Sequence, residues 1–344
     1  MKGANWFYRS TVATLVGLIL VVLAGSLVKA TDSGMGCPDW PKCYGHLIPP
    51  MDSSKVIFHP EHEFFQGQMI IFEGRLWKAK QNFTSTTYFD ESDWIVYDKH
   101  GYAIYNPTHT LIEYINRMVS VLVGFTTLGM LLFSFSYRKT KPIIPVLSII
   151  TFILLLFEAW LGRIVVDSVL SPVKISLHLY AAYLIIFTTT IALPLSSSEK
   201  LQPVSKSGKR MITIAFVLLL LQLFLGAKLR EVFDVYYQTN NLERTSWINS
   251  AGLHFLIHRS FSLVYLLFII LGLFKLKPYF QNNRNLKRGM LLIGSAVLLE
   301  ILTGVTMDRF NVPRFAQPAH VLLSSILLSA NSYLWVYLSR SPKV

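Results

Sequence analysis

Residues 158–179, EAWLGRIVVDSVLSPVKISLHL, return 142 positions later as residues 300–321, EILTGVTMDRFNVPRFAQPAHV. The two stretches align without a gap: Glu158 falls on Glu300, Gly162 on Gly304 and His178 on His320. The same offset places Asn116 on His258 and Arg117 on Arg259. A larger offset places AGSLVK (24–29) on LGAKLR (225–230), pairing Gly25 with Gly226 and Lys29 with Arg230. Self-similarity at a fixed offset marks an internal duplication. The difference between the two offsets is an insertion in the first copy.

Long apolar runs surround these stretches. About half of the 344 residues are hydrophobic and only 15% carry charge, a composition that points away from a soluble globule. A helix crossing a bilayer needs about 20 apolar residues. Eight such runs lie near residues 7–28, 109–137, 143–166, 173–193, 211–229, 252–274, 289–306 and 315–337. The first has a long apolar core and no convincing small-residue cleavage site, so it reads as a retained helix rather than a signal peptide. The expected architecture is an all-α integral membrane protein, with eight transmembrane helices forming two pseudo-symmetric four-helix bundles. Four crossings return the chain to its starting side, so the halves share one orientation.

The segments YRKTKP (137–142), KLQPVSKSGKR (200–210) and KLKPYFQNNRNLKR (275–288) are short and basic, which marks them and both termini as cytoplasmic. The formal charge of +13 is therefore a topology signal and does not imply nucleic acid as a partner. The expected divisions are helix one (1–30), an outer loop (31–108), helices two to four (109–200) and the C-terminal half (201–344). Alternation in GQMIIFEGRLWKAKQNF (67–83) predicts a strand pair or hairpin in the outer loop. That loop also holds both cysteines, in CPDWPKC (37–43). An oxidising outer compartment favours a Cys37–Cys43 disulfide, worth about 2–3 kcal/mol. A reactive thiol pair is the rival, although the C-x5-C spacing is not the usual redox spacing.

Polar residues inside apolar helices are costly and usually functional. His178, His258 and His320, with Asn116 at the fourth equivalent position, all fall within the first turns of the even helices. A single such histidine can be a packing residue. A repeat-related set at one depth is the arrangement that grips a porphyrin iron from both faces inside a helical bundle. Zinc would want further ligands, and no third His, Cys or carboxylate recurs beside each pair. A porphyrin also carries two anionic propionates, and Arg117 and Arg259 directly follow two ligand positions. Lys29, Arg163, Arg230, Arg309 and Arg314 also crowd the outer ends, where ordinary snorkelling accounts for part of the set. The repeat symmetry of Glu158 and Glu300 favours a structural role such as helix–helix hydrogen bonding. His254 reads as a packing or hydrogen-bonding residue.

GMGCPDWPKCYG (34–45), EYINR (113–117), SLHLYAAY (176–183), LIHRSFSLVY (256–265) and AHVLLSSILL (319–328) resemble the haem A synthase family of cytochrome oxidase assembly, and the likeness covers nearly the whole chain. The resemblance implies oxidation of a methyl group of haem O to a formyl group, giving haem A through a hydroxylated intermediate. It implies a low-spin haem b held by His258 and His320, a substrate haem bound through His178, and a turnover role for Glu113. Cys37 and Cys43 match the family's first-loop cysteines. Haem O synthase, the farnesyltransferase, and an unidentified electron donor are the implied partners, in a bacterial cytoplasmic membrane. Oligomeric state is left open.

Two departures stand out: the family's usual His is Asn116 here, and the loop FDVYYQTNNLERTSWINSAG (233–252) lacks the second cysteine pair of some members. If His178 alone holds the substrate iron, the opposite face stays open for oxygen or water, with Asn116 as a hydrogen-bond donor. Glu113, one turn earlier on the same face, would then move protons. The alternative is that Asn116 fills space while another residue, His109 being nearest, ligates. Rival classes are a bis-histidine cytochrome b that carries electrons and a haem carrier or exporter. A transmembrane electron carrier should place haems at both faces, and a transporter should show broken midplane helices. An Asn116→His variant is expected to change the spin state of the substrate haem and lower activity; no change in either removes the open-face idea.

Overall fold

The computed structural model describes residues 2–199, 201–240 and 244–342. Among these, eight helices are long and apolar enough to cross a membrane. They are α1 (Lys2–Ala30), α2 (Pro107–Ser134), α3 (Ile143–Asp167), α4 (Pro172–Ser196), α5 (Lys206–Asn240), α7 (Leu253–Leu276), α8 (Arg284–Arg309) and α9 (Ala316–Arg340), with a five-residue α6 (Trp247–Ala251) before α7. Pro107 and Pro172 open α2 and α4, where the missing N–H costs nothing. Asn283 caps α8 by accepting the Leu286 N–H at 2.9 Å. Many large apolar side chains along the spans remain exposed, among them Leu122, Phe125, Leu132 and Phe274, as lipid-facing positions should. The molecule is a multi-pass membrane protein.

The two copies of the sequence repeat share one backbone feature. At the α3–α4 corner Val169 and Leu170 adopt φ of 50° and 60°; at the α8–α9 corner Asn311 and Val312, their repeat partners, adopt 56° and 53°. In both corners the same six-residue closure satisfies the helix end: Leu170 N–H donates to the Val165 carbonyl at 3.0 Å, and Val312 N–H to the Met307 carbonyl at 2.9 Å. β-Branched residues rarely take this conformation, so an identical corner at equivalent positions is a shared local constraint.

Two compact units are present. The first comprises Met1–Leu23, Ser120–Glu158 and Leu179–Val344. Its largest core, with Ile212, Leu219, Ile269, Ile293 and Leu334, joins α5, α7, α8 and α9. A second cluster, Phe7, Met130, Ile144, Leu147 and Ala192, joins α1 to α4. A third, with Leu18, Val123, Ile186, Phe216 and Leu328, runs from α1, α2 and α4 to α5 and α9.

The second unit comprises Ala24–Val119 and Ala159–His178. Its loop contains the predicted hairpin: β2 (Met69–Phe72) pairs antiparallel with β3 (Arg75–Ala79) in the register Ile70↔Trp77 and Ile71↔Leu76. Glu73 and Gly74, both at positive φ, form the two-residue turn that suits such a hairpin. β5 (Trp94–Val96) adds to β3, and the short strands β1 (Glu63–Phe64) and β4 (Phe83–Thr84) pair with each other. Side chains alternate across the hairpin. Ile70 and Trp77 enter a cluster of aromatic rings with Phe64 and Trp94, while Met69 and Leu76 pack on the Cys37–Cys43 side with Tyr44 and Val56. The sheet is thus covered on both faces.

Cys37 and Cys43 are disulfide-bonded. Within their loop the Asp39 carboxylate accepts the Tyr44 N–H at 2.6 Å and the Gly45 N–H at 3.0 Å. Burial pushes the Asp39 carboxyl above its usual range, against the pull of those two N–H donors and of the Arg117 charge. A raised folded value means that the neutral acid is the better-accommodated form, so this contribution is full in acid and is lost as pH rises through the raised value. Asp39→Asn sheds the charge and keeps one acceptor; Asp39→Ala strands both N–H groups, at about 1–3 kcal/mol each. Limited proteolysis of the loop at neutral pH is expected to leave the Asp39→Asn variant close to wild type and to cut the Asp39→Ala variant markedly faster.

Candidate functional site

A glycine lies beside each of the four repeat-related positions. A Cβ on Gly226 of α5 would stand 3.0 Å from His258 Cε1, and one on Gly304 of α8 would stand 3.9 Å from His320 Cε1. On α3, the same atom on Gly162 would stand 3.5 Å from His178 Cε1; on Gly25 of α1, it would stand 3.8 Å from Asn116 Oδ1. Helices α2, α4, α7 and α9 supply the polar residue, and α1, α3, α5 and α8 supply the glycine against which it lies. This explains why glycine recurs in the repeat. At Gly226 even a Cβ would crowd the His258 ring, whereas at the other three it would stand at ordinary contact distance.

In the first unit, the rings of His258 and His320 face each other with centroids 6.3 Å apart and planes at 70°. Two metal–nitrogen bonds of about 2 Å each, with the two imidazole half-widths added, span roughly the same distance. The protein engages Nδ1 of both rings. Gln222 Nε2 lies 3.2 Å from His258 Nδ1 and donates to the His258 carbonyl at 3.1 Å. Glu300 Oε2 lies 2.5 Å from His320 Nδ1, and Thr303 Oγ1 lies 2.9 Å from it. With the proton on His320 Nδ1, beside Glu300 and Thr303, Nε2 of that ring is the nitrogen left to ligate. Partners of this kind orient metal-ligating histidines. Among the described residues no group of three or more His, Cys, Asp or Glu could hold a bare metal ion. Two opposed imidazoles are what a macrocycle asks for, since it brings its own four equatorial ligands. The pair therefore fits a haem.

Arg259, exposed, carries its guanidinium over the Phe255 ring at 5.4 Å. Arg117, at the equivalent place in the second unit, also engages the residue four earlier, through an ion pair of 2.5 Å to Glu113 Oε1. The remaining geometry differs. Arg117 donates to the carbonyls of Asp39 (2.8 Å), Lys42 (2.9 Å) and Cys37 (3.3 Å), and Glu113 Oε2 accepts the Cys37 N–H at 2.8 Å. Thr110 Oγ1 adds a bond to the Gly36 carbonyl at 2.7 Å. Arg117, expected to meet a propionate, holds the disulfide loop with these N–H groups. Glu113 is 4% exposed and belongs to the same clamp.

Arg163 and Arg230, expected at the outer rim, are paired with Asp167 (3.4 Å) and Asp234 (2.8 Å). His109 is half-buried at the start of α2, and His254 is exposed. Glu300 does bond between helices, accepting Ser324 Oγ–H of α9 at 2.7 Å, but its second oxygen meets His320. Gln222 and Thr303 went unnoticed in the sequence because neither is ionisable and neither recurs in the other half: Val21 and Leu161 occupy the matching positions.

The fold and these positions define a class, a multi-pass helical membrane protein with repeat-related histidines set against glycines. Residues 8–90 and 103–331 match the cytochrome oxidase assembly protein family COX15-CtaA. The chain belongs to that family. It is similar to the haem A synthase of Halalkalibacterium halodurans, with 23% identity over 346 aligned positions covering 96% of each chain. It is also similar to that of an Exiguobacterium species, with 21% identity over 333 positions covering 95% of this chain and 91% of the relative. The haem A synthase of Lysinibacillus sphaericus is 42% identical over a shorter stretch of 68 positions, 20% of this chain and 21% of the relative.

Because the approach at Gly226 is closest, Gly226→Ala is expected to displace His258 and release haem from the purified protein faster than Gly304→Ala, which leaves ordinary contact distance. Absorbance-monitored haem loss to an apo-globin acceptor checks the order.

Proposed function

We propose that the protein is a haem A synthase, oxidising a methyl group of haem O to the formyl group of haem A. The observation that carries this reading is the His258–His320 pair, 6.3 Å apart with both Nδ1 atoms engaged. In it, His258 and His320 hold haem b as resident cofactor. Bound there, that group supplies one-electron exchange. Gln222, Glu300 and Thr303 orient the two imidazoles, and Arg259, exposed at the start of α7, meets an anionic propionate. Haem O is the substrate, taken through His178, with Asn116 at the other position of that half.

Glu113 acts through the loop in this reading. Its carboxylate fixes Cys37 and Arg117, and Arg117 fixes the carbonyls of the disulfide loop above α2. Loss of either residue frees a buried partner, which costs more than the bond itself contributes. The outer face of a bacterial cytoplasmic membrane is the proposed place of the loop. Haem O synthase is the proposed source of substrate, and a separate donor supplies electrons.

The test is the mass of haems extracted from aerobic cells that make haem O, with and without this protein. Haem A or its hydroxylated precursor is expected with the wild-type chain, and at least tenfold less with His178→Ala or Glu113→Ala. Haem b bound to the purified protein with no new haem, in a host with a competent electron donor, supports the electron-carrier alternative instead.

A further inference from the structure

We propose that Glu300 is a positioning residue that sets the electron-donating strength of His320 and so lowers the reduction potential of the haem; this rests on the haem b site proposed above. The two imidazoles are treated differently. His258 Nδ1 meets a neutral amide, Gln222, at 3.2 Å. His320 Nδ1 meets a carboxylate oxygen of Glu300 at 2.5 Å, and the Thr303 hydroxyl at 2.9 Å. A carboxylate oxygen this close to Nδ1 favours the tautomer with its proton there, leaves Nε2 for iron, and raises the basicity of the ligand. A more basic ligand favours the ferric state, so the bound haem becomes the stronger reductant.

The surroundings hold the carboxylate to this task. Its other oxygen accepts Ser324 Oγ–H at 2.7 Å, and Ser324 lies one turn after His320 on the same helix. The Oε2 beside the ring cannot rotate away without breaking the Ser324 bond. The first half keeps the acid, Glu158, but has Ala182 and Leu161 where Ser324 and Thr303 stand. The full arrangement of acid and two hydroxyls therefore belongs to the half that carries the His258–His320 pair. A role limited to joining α8 and α9 would need only the Ser324 bond.

Glu300→Gln separates the two roles, because a glutamine can accept from His320 Nδ1–H with its oxygen and donate to Ser324 Oγ with its nitrogen. The shape and both bonds survive; the charge does not. Spectroelectrochemical titration of the purified full-length protein with its haem is the experiment. Glu300→Gln is expected to keep the low-spin spectrum and to shift the reduction equilibrium about tenfold toward the ferrous form, about 59 mV for one electron. Ser324→Ala, which keeps the charge but frees the carboxylate to turn, is expected to shift the potential upward by less than Glu300→Gln does. A low-spin Glu300→Gln protein at the wild-type potential overturns the proposal. Should that variant fail to retain haem, Glu300→Asp takes its place: an upward shift, smaller than tenfold, supports the assignment, and an unshifted potential overturns it. A wild-type protein without a low-spin haem sensitive to His258→Ala and His320→Ala overturns the underlying haem site itself, a result distinguishable from a retained haem whose potential ignores Glu300.

Discussion

An imidazole that projects from one membrane helix toward the middle of a bundle needs a neighbouring helix with nothing in its way. Three times in this chain the neighbour answers with glycine, Gly162, Gly226 and Gly304, and Gly25 lies in the same way beside Asn116. The rest of the arrangement depends on that close approach. It lays the Cε1 edge of each imidazole against the helix that carries the glycine. Duplication reproduces the contact, together with the left-handed corners at Val169–Leu170 and Asn311–Val312 that start α4 and α9 in matching ways. Because the backbone constraints are shared, the halves can differ in side chains at little structural cost. Asn116 in place of histidine, Phe255 in place of Glu113, and Leu161 and Ala182 where the second half has Thr303 and Ser324 are differences of that kind.

The outer loop is tied down by the same helix that carries Asn116. Arg117 and Glu113 lie one helical turn apart on α2, and between them they satisfy three loop carbonyls and one N–H. A planar guanidinium with several fixed donors suits this work, where a lysine would supply a single mobile point of charge. The equivalent Arg259 rests on an aromatic ring. One motif thus serves two ends, according to what the neighbouring loop offers.

Much of this was legible in the sequence. The eight spans follow from apolar run length, and the β2–β3 hairpin from alternation around Glu73–Gly74. The His and Gly positions follow from the repeat. Other features escaped for definable reasons. β1, β4 and β5 are two or three residues long, too short to show a period. Helix α5 continues to Asn240, beyond the apolar run that ends near Leu229, because Lys228–Glu231 and Arg230–Asp234 pairs satisfy its charges while Phe233 is buried. The partners of Arg117 are backbone carbonyls, which every residue possesses and no residue advertises. Glu300 showed itself as a repeated acid, but only coordinates reveal that one of its two oxygens reaches His320.

Electron paramagnetic resonance of the ferric protein, purified from cells that make haem O, tests the assignment of the two halves most directly. One low-spin bis-imidazole signal is expected, abolished by His258→Ala or by His320→Ala, beside a high-spin signal that depends on His178. A low-spin signal indifferent to His258 and His320, or a second bis-imidazole centre in a chain with Asn116, would contradict it.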